Sequence, residues 1–287
     1  MGNIILTTFI SHGAPTSLVE RTRIHDIYER LGKLLTERCV DTIIVSSPHY
    51  LSHGKFEVDL RESIPCLQDY YGFPEELYKF SYDAKDNLEL AAEIVRAAEE
   101  RRLPVSGSTT WGLDHGAWLP LHFMFPERGV KVVPVSITDG TPEQHFEFGK
   151  VIRAAAGKMD GTFAFMSTGS PVHRLDLMRY GYYGEEKFEP GSEFNRRLIE
   201  IVEMRDFGRI LKIQEEYPSL FRAAAPEGGL RPLFTALGAS DELNFVGKNL
   251  VDEFMYYAVS LVAFVLGATP ELRAQILKLG APNQTVG

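Results

Sequence analysis

The sequence is poor in cysteine and has no long run of basic or of apolar residues. Its 287 residues include only Cys39 and Cys66, without a CxxC pair, so neither a disulfide framework nor a thiolate zinc site is expected. The formal net charge of -9 disfavours nucleic acid and anionic membranes as partners. The longest apolar run, residues 254–267, is shorter than the roughly 20 residues that cross a bilayer. These absences predict a cytoplasmic protein that acts on a small organic molecule or binds a protein partner.

The chain also lacks an internal repeat and a linker rich in glycine, proline or serine. We therefore expect one domain over residues 1–287. Short apolar segments alternate with longer amphipathic ones, a rhythm that is typical of βα units. This rhythm predicts an α/β fold in which helices cover a central sheet that is mostly parallel or mixed.

The spacing of apolar residues, helical in some segments and strand-like in others, gives approximate bounds for the predicted helices and strands. Strands are predicted at Asn3 to Ile10, Thr42 to Ser47, Val130 to Ile137, Thr162 to Met166, near Leu243 to Val246, and Phe254 to Leu266. Helices are predicted at Leu18 to Glu37, Asp86 to Arg101, Pro142 to Ala156, and Ser192 to Met204.

Three predicted strands run directly into turns that carry a histidine. His12 lies in SHGAP, His49 in SSPHY and His173 in STGSPVH. Ligands of open α/β sheets bind outside the carboxyl ends of the strands, so these three side chains are expected to converge. Imidazole is a common ligand of iron and zinc, and two histidines with one carboxylate form a triad that leaves metal positions open.

His12 and His49 are the expected first two metal ligands because adjacent turn residues would present their side chains. The third ligand is less clearly defined by the sequence. Glu227, in APEGGLRPL, precedes two glycines that would let the backbone approach an ion, although it also fits an exposed turn. Asp139 and Asp176 are weaker candidates. His173 follows a Gly-Ser-Pro turn and is suited to act as an acid–base group.

An aromatic tract, DYYGFPEELYKFSY at residues 69–82, fits either the wall of an apolar pocket or a loop packed on the sheet. The stretch WGLDHGAWLPL, residues 111–121, places His115 beside an acid and between two tryptophans. We predict substrate contacts from four residues in or near these segments and the His49 turn: Tyr71, Phe73, His53 and Trp118.

Together the motifs SHGAP, SSPHY, YYGFPEELY, GLDHGAWLPL and STGSPVH resemble a known family. They are similar to class III extradiol dioxygenases of the protocatechuate 4,5-dioxygenase catalytic-subunit superfamily, in particular the DOPA 4,5-dioxygenase branch. The resemblance extends from near residue 10 to near residue 240. It implies an α/β fold and a non-haem Fe(II) centre that opens a catechol ring with O2 to a muconate-semialdehyde-type product.

Carried over to this sequence, the resemblance implies that His12 and His49 bind the metal and that His173 is the acid–base histidine. It places His115 next to substrate or oxygen. The DOPA branch tends to have a histidine as third ligand, which PEGGLRPLFTALGA lacks, and Glu227 would restore the two-histidine, one-glutamate set. Enzymes of this class often form homodimers or use a small partner subunit.

Two other functions remain open at the level of sequence. The same ligands holding Zn²⁺ would activate water for a hydrolase. The scaffold is also compatible with a non-catalytic metal-binding or ligand-binding protein, because a fold does not determine its function.

Overall fold

The computed structural model describes residues 2–182, 184–240 and 244–279. Its strands in chain order are β1 (Asn3–Ile10), β2 (Thr42–Ser52), β3 (Phe56–Asp59), β4 (Ser63–Ile64), β5 (Ala84–Lys85), β6 (Val105–Ser108), β7 (Lys131–Thr138), β8 (Thr162–Thr168), β9 (Phe245–Met255) and β10 (Val259–Ala268). Its helices are α1 (Arg23–Glu37), α2 (Leu88–Glu100), α3 (His115–Met124), α4 (Pro142–Lys158), α5 (Glu189–Met204), α6 (Phe207–Leu211), α7 (Ile213–Glu216), α8 (Pro218–Ala224), α9 (Arg231–Ala239) and α10 (Pro270–Leu279).

The central sheet has the strand order β6-β3-β7-β2-β8-β1-β10-β9 among the described residues. Its middle strands β7, β2, β8 and β1 are parallel, whereas β3 and β10 run antiparallel to their inner neighbours. Pairing of Ile10 with Thr168 and of Ser46 with Ser167 places the carboxyl ends of β1 and β8 beside the middle of β2, just before His49. The prediction of a single α/β domain with a mixed sheet is confirmed.

Helices cover both faces of the sheet, so the core consists of two layers, one on each face. On β1, Leu6 and Ile10 pack in the layer of α1, α3 and α10, whereas Phe9 packs in the layer of α2, α4, α5 and α9. Successive side chains of a strand point to opposite faces, so one strand supplies both layers. This two-sided burial explains why the central strands are nearly continuous apolar runs.

Several predicted bounds need correction. Helix α1 begins at Arg23 and not at Leu18, because Thr22 and His25 form a reciprocal capping box at its first turn. The predicted strand Phe254 to Leu266 contains the end of β9, a turn and most of β10. Tyr256 and Tyr257 adopt left-handed φ angles of 52° and 79° at that turn. The prediction near Leu243 falls partly outside the described residues.

Helix α3 was not among the predicted helices. Most of its residues are buried on all sides, so it lacks the polar face that gives a helix its periodic signature. Asp114 caps its N-terminus by accepting a hydrogen bond from the amide of Ala117. In the part of the chain that the structure describes, no helix combines the length and apolar character needed to cross a membrane.

Asp86, just before α2, generates a prediction about stability. Burial, and then the nearby Asp59, raise the pKa of Asp86 to about 8. The folded state therefore binds a proton that the unfolded chain has released, and stability is lost as pH rises from about 4 to about 8. We expect the advantage of Asp86→Asn over the parent in unfolding free energy to be larger at pH 9 than at pH 5 by on the order of 2–4 kcal/mol.

Urea unfolding at both pH values measures this difference. Glu37→Gln, at an exposed position on α1, is the control and should show no comparable change between the two pH values. A parent stability that does not decline relative to Asp86→Asn between pH 5 and pH 9 would contradict the assignment.

Candidate metal centre and its cavity

His12 is delivered by the end of β1. The chain leaves the strand at Ser11, whose side-chain oxygen donates to the carbonyl of Ser260 at 3.2 Å and accepts from the amide of Val262 at 3.0 Å. Gly13 then turns the backbone with a φ of +74°, a left-handed conformation that favours glycine. His12, between Ser11 and this turn, is buried, with only 2% of its surface exposed.

His49 lies inside β2 and not after it, because the strand continues to Ser52. The pairing of β2 with β7 is interrupted between Ser46 and Leu51. Pro48, which has no amide hydrogen to contribute to a ladder, lies in this interruption. The irregular backbone directs His49 toward the carboxyl ends of the central strands, where His12 lies.

Glu227 begins a short 3-10 helix after α8. One carboxylate oxygen, Oε2, accepts a hydrogen bond from the amide of Ser170 at 3.0 Å, which leaves Oε1 for the histidines. Gly228 and Gly229 both have left-handed φ angles, 55° and 62°. A Cβ at Gly228 would lie 3.0 Å from the Pro48 side chain, so this backbone packs closely against β2.

The ligand atoms of these three residues form a small triangle. Oε1 of Glu227 lies 3.4 Å from Nε2 of His12 and 3.2 Å from Nε2 of His49, and the two nitrogens are 3.4 Å apart. Two ligands at about 2.0–2.2 Å from one metal ion, at octahedral or tetrahedral angles, are separated by about 3.0–3.5 Å. The donor types and their spacing therefore fit one divalent transition-metal ion.

His115 offers an alternative third ligand. Ring nitrogens of His12, His49 and His115 lie within 4.8 Å of one another, which makes a three-imidazole cluster that could bind a metal. The Glu227 triangle is tighter, and its carboxylate has its second oxygen already held by Ser170. We therefore favour Glu227 as the third ligand.

The charges of the cluster are arranged around the Glu227 carboxylate. Burial alone would raise the pKa of Glu227, but His12, His173 and His49 hold it well below its usual value. Burial lowers the pKa of His12 to about 3, so this imidazole is neutral and able to ligate. Burial also opposes the charge of His49, yet hydrogen bonds to Asp69 and Glu227 raise its pKa to about 11. A buried carboxylate surrounded by imidazoles is thus suited to a cation.

Asp69 connects two of the histidines. Its Oδ2 accepts from Nδ1 of His49 at 2.9 Å, and its Oδ1 accepts from Nδ1 of His115 at 2.9 Å and from the His115 amide at 2.8 Å. Each hydrogen bond fixes the orientation of its ring with Nδ1 toward Asp69, so that Nε2 lies on the far side, where His49 could bind a metal. Hydrogen bonds to these histidines hold the pKa of Asp69 below its usual range although burial would raise it.

His115 is the first residue of α3, and the helix start approaches His49 closely. A Cβ at Gly116 would lie 2.5 Å from Oγ of Ser47 and 2.9 Å from the His49 ring. The Asp114 carboxylate, besides capping α3, accepts a hydrogen bond from Ser47 at 2.6 Å. The sequence Asp-His-Gly therefore supplies a cap, a ring and the space that the ring of His49 needs.

His173 approaches Glu227 from a third strand end, five residues beyond β8. Its Nε2 lies 3.5 Å from Oε1 of Glu227. The His173 amide donates to the carbonyl of Ala224 at 3.0 Å, and an isolated bridge joins His173 to Val259 at the start of β10. The expected convergence of His12, His49 and His173 is observed, because β2, β8 and β1 are adjacent.

A cavity of about 340 Å³ opens above these residues. Its floor contains the four histidines and Glu227, and its walls are mostly aromatic or aliphatic. The side chains that contribute to the walls include Tyr70, Tyr71, Phe73, Leu175, Met178 and Tyr180.

Residues 6–267 match the family model described as the catalytic LigB subunit of aromatic ring-opening dioxygenase. The chain belongs to this family. A 4,5-DOPA dioxygenase extradiol-like protein of Schizosaccharomyces pombe is 27% identical over 281 residues, which cover 90% of this chain and 91% of the relative. A 4,5-DOPA dioxygenase extradiol of Escherichia coli is 30% identical over 60% of this chain and 61% of its own length.

The fold is shared with the crystal structure of an uncharacterized protein from Escherichia coli K12. That structure superposes with a TM-score of 0.72, covers 92% of this chain and all of its own chain, and is 21% identical in sequence. The family resemblance drawn from the motifs is confirmed by these comparisons.

Two of the four predicted substrate contacts are placed elsewhere within this LigB-family fold. His53 is exposed and lies 3.5 Å from the carboxylate of Asp139, outside the cavity lining. Trp118 is fully buried, and its indole donates to the carbonyl of Leu67 at 2.8 Å. Trp118 therefore supports the segment that carries Asp69. His53 is near a site histidine in sequence, but proximity in sequence does not determine where a side chain points.

Tyr71 and Phe73 do line the cavity. The weaker third-ligand candidates do not, since Asp139 faces His53 and Asp176 pairs with Arg174 at 2.7 Å. Sequence reasoning missed Asp69, although an acid directly before the aromatic tract YYGFP was a visible signal.

Replacing Asp69 by asparagine should loosen the metal centre. The amide cannot accept hydrogen bonds through both terminal atoms, so His49 or His115 loses its fixed orientation. We expect Asp69→Asn to weaken metal affinity by about 10–100-fold, as measured by competition with a chromophoric chelator. Asp139→Asn breaks a carboxylate–histidine pair outside the cavity and should leave the affinity unchanged. Equal affinities for the parent and Asp69→Asn would contradict the orienting role.

The two candidates for the third ligand are separated by mutation. Glu227→Ala should reduce bound metal to well below one ion per chain after reconstitution, whereas His115→Phe should retain it. Elemental analysis after removal of loosely bound metal gives the stoichiometry. The opposite pattern, with metal lost from His115→Phe only, would establish the three-imidazole set.

Proposed function

We propose that this protein is a non-haem Fe(II) extradiol dioxygenase that opens a catechol-type ring with O2. The observation that carries the proposal is the triangle of His12, His49 and Glu227 at the floor of an aromatic-walled cavity that two further histidines also line. Family membership and relatives named as extradiol dioxygenases support the same reaction class. The product would be a ring-opened semialdehyde of the muconate type.

The residues of the triangle would hold the metal. Two imidazoles and one carboxylate on one side of an ion leave its other positions open, the pattern of non-haem iron oxygenases. When bound, Fe(II) supplies a Lewis acid for the two catechol oxygens and the redox chemistry that O2 requires. The chain contributes the orientation of the ligands, because Asp69 and the Ser170 amide each hold a ligand from behind.

His173 would move the proton of the substrate hydroxyl. It lines the cavity and its side chain is 26% exposed, so a substrate in the cavity can reach it. A base at this place takes a proton from the catechol and can return it to an oxygen atom of the opening ring. The bridge to Val259 and the bond to Ala224 fix the backbone on which this ring turns.

His115 would bind the substrate or oxygen through Nε2, because Nδ1 donates to Asp69. Its ring lies at 4.4 Å from the His49 ring and 5.4 Å from the Tyr70 ring, measured between centroids. A ring held by Asp69 offers Nε2 as a hydrogen-bonding group that needs no reorientation during the reaction.

A zinc-dependent hydrolase is the second candidate, since the same three donors are also a common zinc set. The aromatic walls of the cavity favour a planar ring as ligand. Iron loading, oxygen consumption and a new absorbance on addition of catechols under air support the dioxygenase. Zinc in the purified protein and no catechol turnover after Fe(II) loading would favour the hydrolase, and failure to bind either metal would favour a non-catalytic ligand-binding protein.

Turnover should depend on His173, whereas metal binding should not. We expect His173→Gln to keep metal and catechol affinity within a few-fold of the parent and to lose at least about 100-fold in kcat. His145→Gln is the control. His145 is not among the residues that line the cavity, and it accepts a hydrogen bond from the Thr138 amide at 3.1 Å. Oxygen uptake measures kcat. A His173→Gln variant as active as the parent would refute the acid–base assignment.

A further inference from the structure

The cavity walls above the metal centre carry no formal charge. Among the described residues that line the cavity, the only carboxylate is that of Glu227, and neither lysine nor arginine contributes. The walls come mainly from Tyr70, Phe73, Met178 and Met255. A charged group on the distal part of a bound molecule would therefore lose water without gaining a partner.

Arg174 and Arg179, which are adjacent in sequence to cavity residues, are paired with groups outside the cavity lining. Arg174 pairs with Asp176 at 2.7 Å and donates to the carbonyl of Ala223 at 2.9 Å. Arg179 pairs with Glu186 at 3.3 Å and lies 3.8 Å from the centre of the Tyr257 ring. Reorienting either one toward a ligand would break these contacts.

The mouth of the cavity is apolar and exposed. Tyr71 is 91% exposed, Tyr180 is 65% exposed and Leu175 is 58% exposed, and all three line the cavity. Large exposed apolar side chains that gather at one place on a soluble protein commonly mark a binding surface. These three residues extend the apolar wall outward beyond the buried floor.

The space available exceeds that of a catechol ring. A cavity of about 150 Å³ is sufficient for benzene in a protein interior, whereas this cavity measures about 340 Å³. The cavity therefore has volume to spare beside the reacting ring. A substituent on the ring would fill it.

We infer that the substrate is a catechol with an uncharged, apolar substituent that extends to Tyr71, Leu175 and Tyr180. This inference rests on the proposed function, because the floor residues define which end of the molecule reacts. Contact of the substituent with these side chains favours binding through the hydrophobic effect, while a carboxylate or ammonium group at the same place would lose part of its hydration without a lysine, arginine or carboxylate of the mouth to pair with.

A matched set of catechols tests the inference. Anaerobic titration calorimetry of the purified protein should show 4-butylcatechol and the methyl ester of 3-(3,4-dihydroxyphenyl)propanoate binding at least about ten-fold more tightly than the free propanoate. After Fe(II) loading, kcat/KM from oxygen uptake should follow the same order. Equal or tighter binding of the propanoate would overturn the inference.

The two measurements separate the inference from the proposed function. Tighter binding of the apolar catechols without turnover of any catechol would leave the substrate class standing and refute the dioxygenase. Turnover with a preference for the propanoate would support the dioxygenase and overturn the inference about the substituent.

A pair of lysine variants locates the effect. Leu175→Lys places a cation at the mouth and should shift the affinity ratio toward the propanoate by roughly three- to five-fold. Leu277→Lys, on α10 and 51% exposed, adds the same charge outside the cavity and should leave the ratio unchanged. An unmoved ratio in Leu175→Lys, or an equal shift in both variants, would contradict a substituent site at this mouth.

Discussion

The carboxylate of Glu227 is the charge around which the site is built. A buried carboxylate is costly unless it is paired and hydrogen-bonded. Here the Ser170 amide holds one oxygen, and the ring nitrogens of His12, His49 and His173 surround the other at 3.2–3.5 Å. Each of the three histidines comes from a different strand of the parallel core. The adjacency of β1, β8 and β2 is therefore the condition for stabilising this charge.

A second carboxylate links the metal centre to the substrate side of the cavity. Asp69 binds Nδ1 of both His49 and His115, so one side chain orients a proposed ligand and a proposed substrate contact. It is held indirectly by Trp118, whose indole binds the carbonyl of Leu67 two residues before it. The stretch 111–121 thus serves the site twice, since the helix that starts with His115 also buries the tryptophan that fixes the Asp69 segment.

Much of the fold was predictable because the central strands and the amphipathic helices have clear periods. The convergence of His12, His49 and His173 followed from the rule that ligands gather at the carboxyl ends of parallel strands. Asp69 was missed because its segment has no regular period, and α3 because burial on all sides removes its polar face. His53 illustrates the opposite error, since proximity in sequence to His49 suggested a contact that the turn after β2 prevents.

The reacting floor and the apolar mouth differ in how the chain builds them. Two proposed ligands come from the sheet, whereas Leu175, Met178 and Tyr180 belong to the segment that follows His173. That segment is attached to the β9–β10 turn by hydrogen bonds from Arg174 to Ala258 and from Arg179 to Tyr256. Because the proposed base and the mouth share one segment, a substituent that fits Leu175 also positions the ring beside His173. In the proposed reaction, substrate selection and proton transfer would therefore be coupled through the backbone of residues 173–180, while the two proposed histidine ligands are positioned by β1 and β2.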